Sequence, residues 1–366
     1  MFFVVSFCVL VVLVGVLAST GILKRGLEIA FTLIILLSGF RYNFGADYMN
    51  YLQMFKEVAA YPDLNYIFHL YDTPFDKPGG TELGWVLLCW LFKPFGFNTF
   101  VFFTSVITNI VYYRFIKSYV SRKWYWLALF VYMFDTNLFF VPLSMMRQSL
   151  AMVVFVYSFK YIVDKKNIQA LLLVLLASMF HQSALVLIPF AFLGFLSRVN
   201  GKITSIAYVM FFLLLLGTKD LTSNIIMSAL SLSSFEAYAG YFTKMEAADA
   251  FGLGFASRLV TFFIPFLFYY SDESQRFPNR LSTLMSGMSF LIAPFTLIMG
   301  FLGRIDYYFS IYNIVAIPLL FGWFKKGIIC YGLIIIYIAY TLYSYNQFFK
   351  IPDWITFTHY QTFLGF

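Results

Sequence analysis

Five arginines stand at or beside the ends of long apolar runs: Arg41, Arg147, Arg198, Arg258 and Arg304. A guanidinium near membrane depth is costly, so each marks a functional site by default. Its flat fork of donors stays charged at neutral pH and fits a phosphate, which makes the holding of an anion the chemistry to consider first. The plainer reading of each is a side chain snorkelling to the headgroup level.

Acids and one histidine accompany them. In Gly39-Phe40-Arg41-Tyr42-Asn43-Phe44-Gly45-Ala46-Asp47-Tyr48 an arginine, a flexible glycine and an acid follow an apolar run directly, and Tyr51 lies just beyond. Asp47 can order Arg41 or the loop, or it can take a proton from a sugar hydroxyl as a general base. Thr81-Glu82-Leu83-Gly84-Trp85 opens the next apolar run; Thr81 reads as its N-cap and Glu82 as a first-turn acid favoured by the helix dipole. Met146-Arg147-Gln148 starts another helix, where backbone N–H groups and a guanidinium together make an anion site. Arg258 has the same placement, and Arg304, in Gly303-Arg304-Ile305-Asp306-Tyr307-Tyr308, falls in a tight turn where Asp306 could neutralise it. His181, in Met179-Phe180-His181-Gln182-Ser183, interrupts an apolar segment; a lone buried histidine is as readily hydrogen-bonded structure as a catalyst. No HExxH, DxD, GxSxG or phosphate-cradling glycine loop occurs, so phosphate chemistry here calls for arginines and neither a metal nor a cofactor.

The elements that must position these residues are membrane helices. The chain has 366 residues, is 61% hydrophobic and 11% charged, and has a mean hydropathy of +0.80, far from the composition of a soluble domain. Long unbroken apolar runs argue against a β-barrel. Cys8, Cys89 and Cys330 lie far apart in apolar runs and read as inert packing residues. Aromatic residues make up 22%, in part an interfacial belt. The first run, Phe2 to Ala18, lacks a basic leader and reads as a retained span.

Apolar segments fall near 2–18, 26–40, 83–113, 124–142, 145–163, 167–197, 203–217, 257–270, 281–301, 305–323 and 328–345. Basic clusters between them, among them Lys24–Arg25, Arg114 to Lys123 and Arg198–Lys202, mark the cytoplasmic side. That placement removes Arg198 from the set and puts Arg41, Arg147, Arg258 and Arg304 on the outer side. Segments 83–113 and 167–197 are too long for one straight span and break at Lys93–Pro94–Phe95–Gly96 and at His181–Gln182–Ser183, with 83–93 as a short interfacial helix. The reading is an all-α polytopic membrane protein of about 12 transmembrane helices (range about 10–14 by this segment count), forming one integral domain over 1–366. Both termini and two larger extracytoplasmic loops, 41–82 and 218–256, face outward. These loops carry three basic and six acidic, and two basic and four acidic residues respectively, poor in Lys and Arg as translocated loops should be.

The order of motifs resembles the EpsG family of Wzy-type polymerases, which build exopolysaccharide, capsule and O-antigen. Arg-x(3)-Gly-x-Asp-x(3)-Tyr at 41–51, Glu-x-Gly at 82–84, Met-Arg-Gln-x-Leu-Ala at 146–151, His-x-Ser-Ala at 181–184 and Arg-Ile-Asp-Tyr-Tyr-Phe at 304–309 carry the likeness, with Tyr360-x-x-Phe363 near the tail. The resemblance implies a fold similar to GT-C glycosyltransferases in the bacterial cytoplasmic (inner) membrane, with the active site facing the periplasm or outside. It implies transfer of a growing glycan from undecaprenyl pyrophosphate to the non-reducing-end hydroxyl of a new lipid-linked oligosaccharide repeat unit. The four outer arginines would then hold the pyrophosphate. Asp47, Glu82 and His181 would be candidates for the base, and Tyr48, Tyr51, Tyr307 and Tyr308 would contact sugar. Partners would be membrane lipid and a Wzz-like chain-length co-polymerase, with no nucleic acid. The competing readings are another polyprenyl-phosphate-dependent GT-C transferase, an O-antigen ligase, and a polysaccharide transporter or flippase, though no internal repeat of the transporter kind is evident.

Overall fold

The computed structural model describes residues 1–74, 76, 77, 80–218, 221, 276–296, 302–323 and 327–365. Arg258, the apolar segment 257–270 and almost all of the loop 218–256 lie outside the described residues. The chain divides into two compact units, one of Met1–Phe192 with Ile328–Phe366 and the other of Leu193–Gly327.

The first unit is α-helical, with α1 (Phe2–Thr20), α2 (Gly26–Gly39), α3 (Tyr48–Ala59), α4 (Leu64–His69), α5 (Leu83–Phe92), α6 (Phe97–Tyr119), α7 (Tyr125–Phe134), α8 (Phe140–Ser144), α9 (Met146–Val163) and α10 (Asn167–Ser178). Its last helix runs Ile328–Phe348. Among the described residues, α1 and α6 are long and apolar enough to cross a membrane. The expected break at 93–96 is present: Pro94 cannot continue α5, and Gly96 at φ 81 turns the chain into α6. The second break is present too, since α10 stops at Ser178 and a 3₁₀ segment runs from Gln182 to Arg198.

Helices α1 and α7 approach closely, and α2 packs on both α1 and α6, while α9 packs on α6 and α10. The segment 41–82 is folded rather than merely connecting. Tyr48, Tyr51, Phe55 and Val58 recur on one face of α3 at helical spacing and pack with Trp85, Cys89, Phe97, Phe100 and Leu150 in one apolar cluster. Cys8 is likewise buried, consistent with a packing role.

A two-residue antiparallel ladder joins Arg41–Tyr42 (β1) to Gln361–Thr362 (β2). Phe44 packs edge-on to Phe357 and Tyr360, and the Tyr360 hydroxyl donates to Leu37 O at 2.8 Å. Tyr360→Phe is expected to cost about 1 kcal/mol, the worth of one such bond; thermal unfolding of the purified variant checks it.

In the second unit, α11 (Gly201–Gly217) and helices Phe277–Thr296, Leu302–Ser310 and Asn313–Trp323 are described. The last two are bent by 49° and could form one broken span. Asp306 is buried and accepts a hydrogen bond from Ser289 Oγ, and Asn313 Oδ1 accepts one from Ser286 Oγ.

Candidate functional site

In the first unit Glu82 pairs with Arg147 and holds the Gln182 N–H next to His181, while Arg41 and Asp47 immediately precede α3, whose Tyr51 reaches Arg147. Arg147 sits in the first turn of α9, an end of the dipole that disfavours a cation. Its guanidinium therefore needs a partner elsewhere, and it reaches out of the helix to Glu82. Nη1 lies 2.6 Å from Glu82 Oε2 and also donates to Gly80 O at 2.9 Å. The second carboxylate oxygen of Glu82 accepts from the Gln182 N–H at 3.2 Å. Glu82 is buried, with its side chain 5% exposed against 22% for Arg147. One carboxylate thus ties α5 to α9 and to the chain break that holds His181.

Glu82 is itself the N-cap residue of α5, correcting the expectation that Thr81 would cap and Glu82 occupy the first turn; its side chain makes no capping bond because it is spent on Arg147 and Gln182. Two residues on, the Gly84 N–H donates to Met179 O at 2.8 Å, and a Cβ at Gly84 would stand 2.6 Å from that oxygen. The Glu-x-Gly spacing has its physical account here. Both residues dock the start of α5 on the end of α10.

His181 is buried, and its Nδ1 lies 2.6 Å from Ser183 Oγ.

Arg41 is buried at the other end of α3. It donates to Ser38 O and, at 3.5 Å, to Leu143 O, while its Nε has no hydrogen-bond partner. Burial lowers its pKa to about 10, which still leaves it protonated at neutral pH. The loop that follows is pinned by Ala46 N–H donating to Ser144 Oγ at 2.8 Å, with Gly45 at φ 123 supplying a backbone turn that other residues resist. Asp47 then caps α3, half-buried, and accepts from Asn50 Nδ2 at 3.2 Å.

Helix α3 links the two arginines. The Tyr48 hydroxyl donates to Arg41 O at 3.1 Å, and Tyr51, one turn on, is hydrogen-bonded to Arg147. Burial pushes the Tyr51 phenol up in pKa, while Arg147 pulls it back. Tyr48 and Tyr51 are buried against Phe97 and Trp85, so their rings face protein here and not a sugar.

Arg304 belongs to the second unit. It lies within helix Leu302–Ser310, not in a tight turn as expected, because Asp306 turns inward to Ser289 and the backbone stays helical through both. Tyr308 is fully buried there, which leaves no ring face for a sugar, and Tyr307 is partly exposed.

One set of residues escaped the sequence reading. Thr104, Ser105, Thr108, Asn109 and Tyr112 line a small cavity with Ser38, Arg41, Tyr132 and Ser149. Their spacing of one, four, five and eight residues is a polar stripe on α6, legible in a segment read only as apolar.

These features define an α-helical membrane protein with an arginine–carboxylate pair, its carboxylate buried, and a separate buried arginine. The EpsG family model matches residues 27–362, nearly the whole chain, and the chain belongs to that family, which includes Wzy-type polymerases. Membership implies a glycosyltransferase-like, polysaccharide-polymerase type of role. Among the curated proteins and the solved structures none matches the chain significantly.

Proposed function

We propose that the protein polymerises undecaprenyl-pyrophosphate-linked oligosaccharide repeat units at the outer face of the inner membrane, through about 12 spans in a GT-C-like arrangement. The observation that supports this most is the Arg147–Glu82 pair beside α3, with the buried Arg41 just before that helix, in a member of the EpsG family. In this reading the acceptor hydroxyl of the incoming unit attacks the anomeric carbon of the lipid-linked glycan. A carboxylate takes its proton, and the bond from anomeric carbon to pyrophosphate oxygen breaks with the electron pair leaving on the pyrophosphate. Guanidinium groups positioned on that developing charge lower the barrier. By sequence position alone, Arg258 and Arg304 are also proposed as pyrophosphate ligands.

Among the three base candidates, Asp47 is preferred. Both oxygens of Glu82 are engaged, by Arg147 and by the Gln182 N–H, and His181 is buried beside Ser183. Asp47 is half-exposed and accepts a hydrogen bond from the Asn50 side-chain amide. Glu82 is then a positioning residue. Asp47→Asn is expected to lower polymerisation of lipid-linked repeats about 100-fold with binding retained, in the range of lost general-base catalysis. Wild-type turnover in that variant would remove Asp47 from the role. For the function as a whole, a deletion strain is expected to accumulate single lipid-linked repeats on the outer side. Full-length glycan in that strain would sink the proposal, and repeats trapped on the cytoplasmic side would point to a flippase.

A further inference from the structure

The cavity beneath Arg41 has a chemistry of its own. It is lined by hydroxyls, an amide, one guanidinium and apolar side chains, and by no Asp or Glu. Among the described residues, no carboxylate lies within ion-pair distance of Arg41, whereas Arg147 has Glu82. A buried cation without a counter-charge is strongly disfavoured. Two buried polar atoms of the lining residues also have no hydrogen-bond partner, Arg41 Nε and the Tyr112 hydroxyl. Other buried polar atoms among the described residues are also unpartnered, Arg147 Nε among them; what sets these two apart is that they line one cavity with a cation that has no carboxylate beside it.

The rest of the lining is already ordered. The Tyr132 hydroxyl donates to Asn109 Oδ1 at 3.0 Å, and Asn109 Nδ2 donates to Ser105 O at 2.9 Å and toward Ser38 Oγ at 3.3 Å. The Ser38 and Ser105 hydroxyls lie 2.5 Å apart. Much of the wall is thus preorganised, while Arg41 Nε and the Tyr112 hydroxyl have no hydrogen-bond partner. The stripe from Thr104 to Tyr112 extends about 12 Å along α6 at the helical rise.

We propose that this cavity is a phosphoryl-binding chamber, in which Arg41 neutralises the anion and the Tyr112 and Thr108 hydroxyls donate to its oxygens. It rests on the reading of Arg41 as a phosphate ligand and extends that site inward to α6. The phosphoryl group can come from a polyprenyl phosphate headgroup or from free phosphate, and the two arms of the test separate these sources.

The full chain in phosphatidylcholine nanodiscs is titrated with inorganic phosphate, and in parallel the nanodiscs are doped with undecaprenyl phosphate; thermal unfolding is read in both. A saturable rise in Tm is expected in at least one arm, and which arm responds names the source. Tyr112→Phe is expected to leave Tm without ligand unchanged or higher, because the hydroxyl it removes is buried and unpaired. The same variant should weaken phosphoryl binding about tenfold, the loss of one hydrogen bond to a charged group. Thr108→Val should act in the same direction and serves if Tyr112→Phe fails to fold. No saturable response in either arm, or an undiminished response in both variants, overturns the chamber. Polymer formation without phosphoryl saturation would overturn the chamber alone, whereas saturation without polymer formation would overturn the polymerase reading and leave the chamber standing.

Discussion

Replacing Arg147 with alanine is expected to destabilise the protein by about 3 kcal/mol and to leave single repeats in place of long polymer. The magnitude follows from what is left behind. Glu82 is buried, and without its 2.6 Å partner it becomes an uncompensated charge at the start of α5. The partial exposure of Arg147 keeps the effect at the lower end of the range for broken buried pairs. A purely catalytic arginine would lose activity with little change in stability, so the two measurements separate the roles. The double variant Arg147→Ala with Glu82→Gln removes both charges and is expected to recover much of the stability while staying inactive. Full-length glycan from Arg147→Ala would remove this residue from the anion site.

Gly84→Ala is expected to cost about 3 kcal/mol, the upper end for overpacking, and to abolish polymerisation. Local propensity predicts the opposite, since alanine in a helix is favoured over glycine by about 1 kcal/mol. The decisive contact is with backbone: the added Cβ would lie 2.6 Å from Met179 O and 2.9 Å from Met179 C, atoms that cannot rotate aside. Gly332, in the helix Ile328–Phe348 with nothing within 4 Å of its would-be Cβ, is the control. There the same substitution should be neutral or stabilising. Equal losses at the two positions, in chemical denaturation, would show that the approach at Met179 is not what matters.

Much of the local structure was legible because it depends on neighbours in sequence. Pro94 and Gly96 break the long apolar run, His181 marks the second break, and Met146-Arg147 opens a helix. The pairing of Glu82 with Arg147 was not legible, since the two lie 65 residues apart and no periodicity relates them. Neighbours in sequence offer Asp47 for Arg41 and Asp306 for Arg304 but no acid for Arg147, whereas it is Arg147 that pairs with a carboxylate. The polar stripe on α6 was visible in principle, as hydroxyl and amide residues at helical spacing. It was masked by the high apolar content of the surrounding run. The contact of Arg41–Tyr42 with Gln361–Thr362 involves two residues on each side, too few for a strand pattern to register.

That small ladder also bears on how the protein is made. Arg41 leaves the ribosome early, yet the strand beside it and the Tyr360 hydroxyl bond to Leu37 come from residues about 320 positions later. Contacts so distant in sequence form late and slowly. The surroundings of Arg41 are therefore completed only after almost every other helix of the first unit has been synthesised, so the first and last parts of the unit must meet before this corner of the fold is closed.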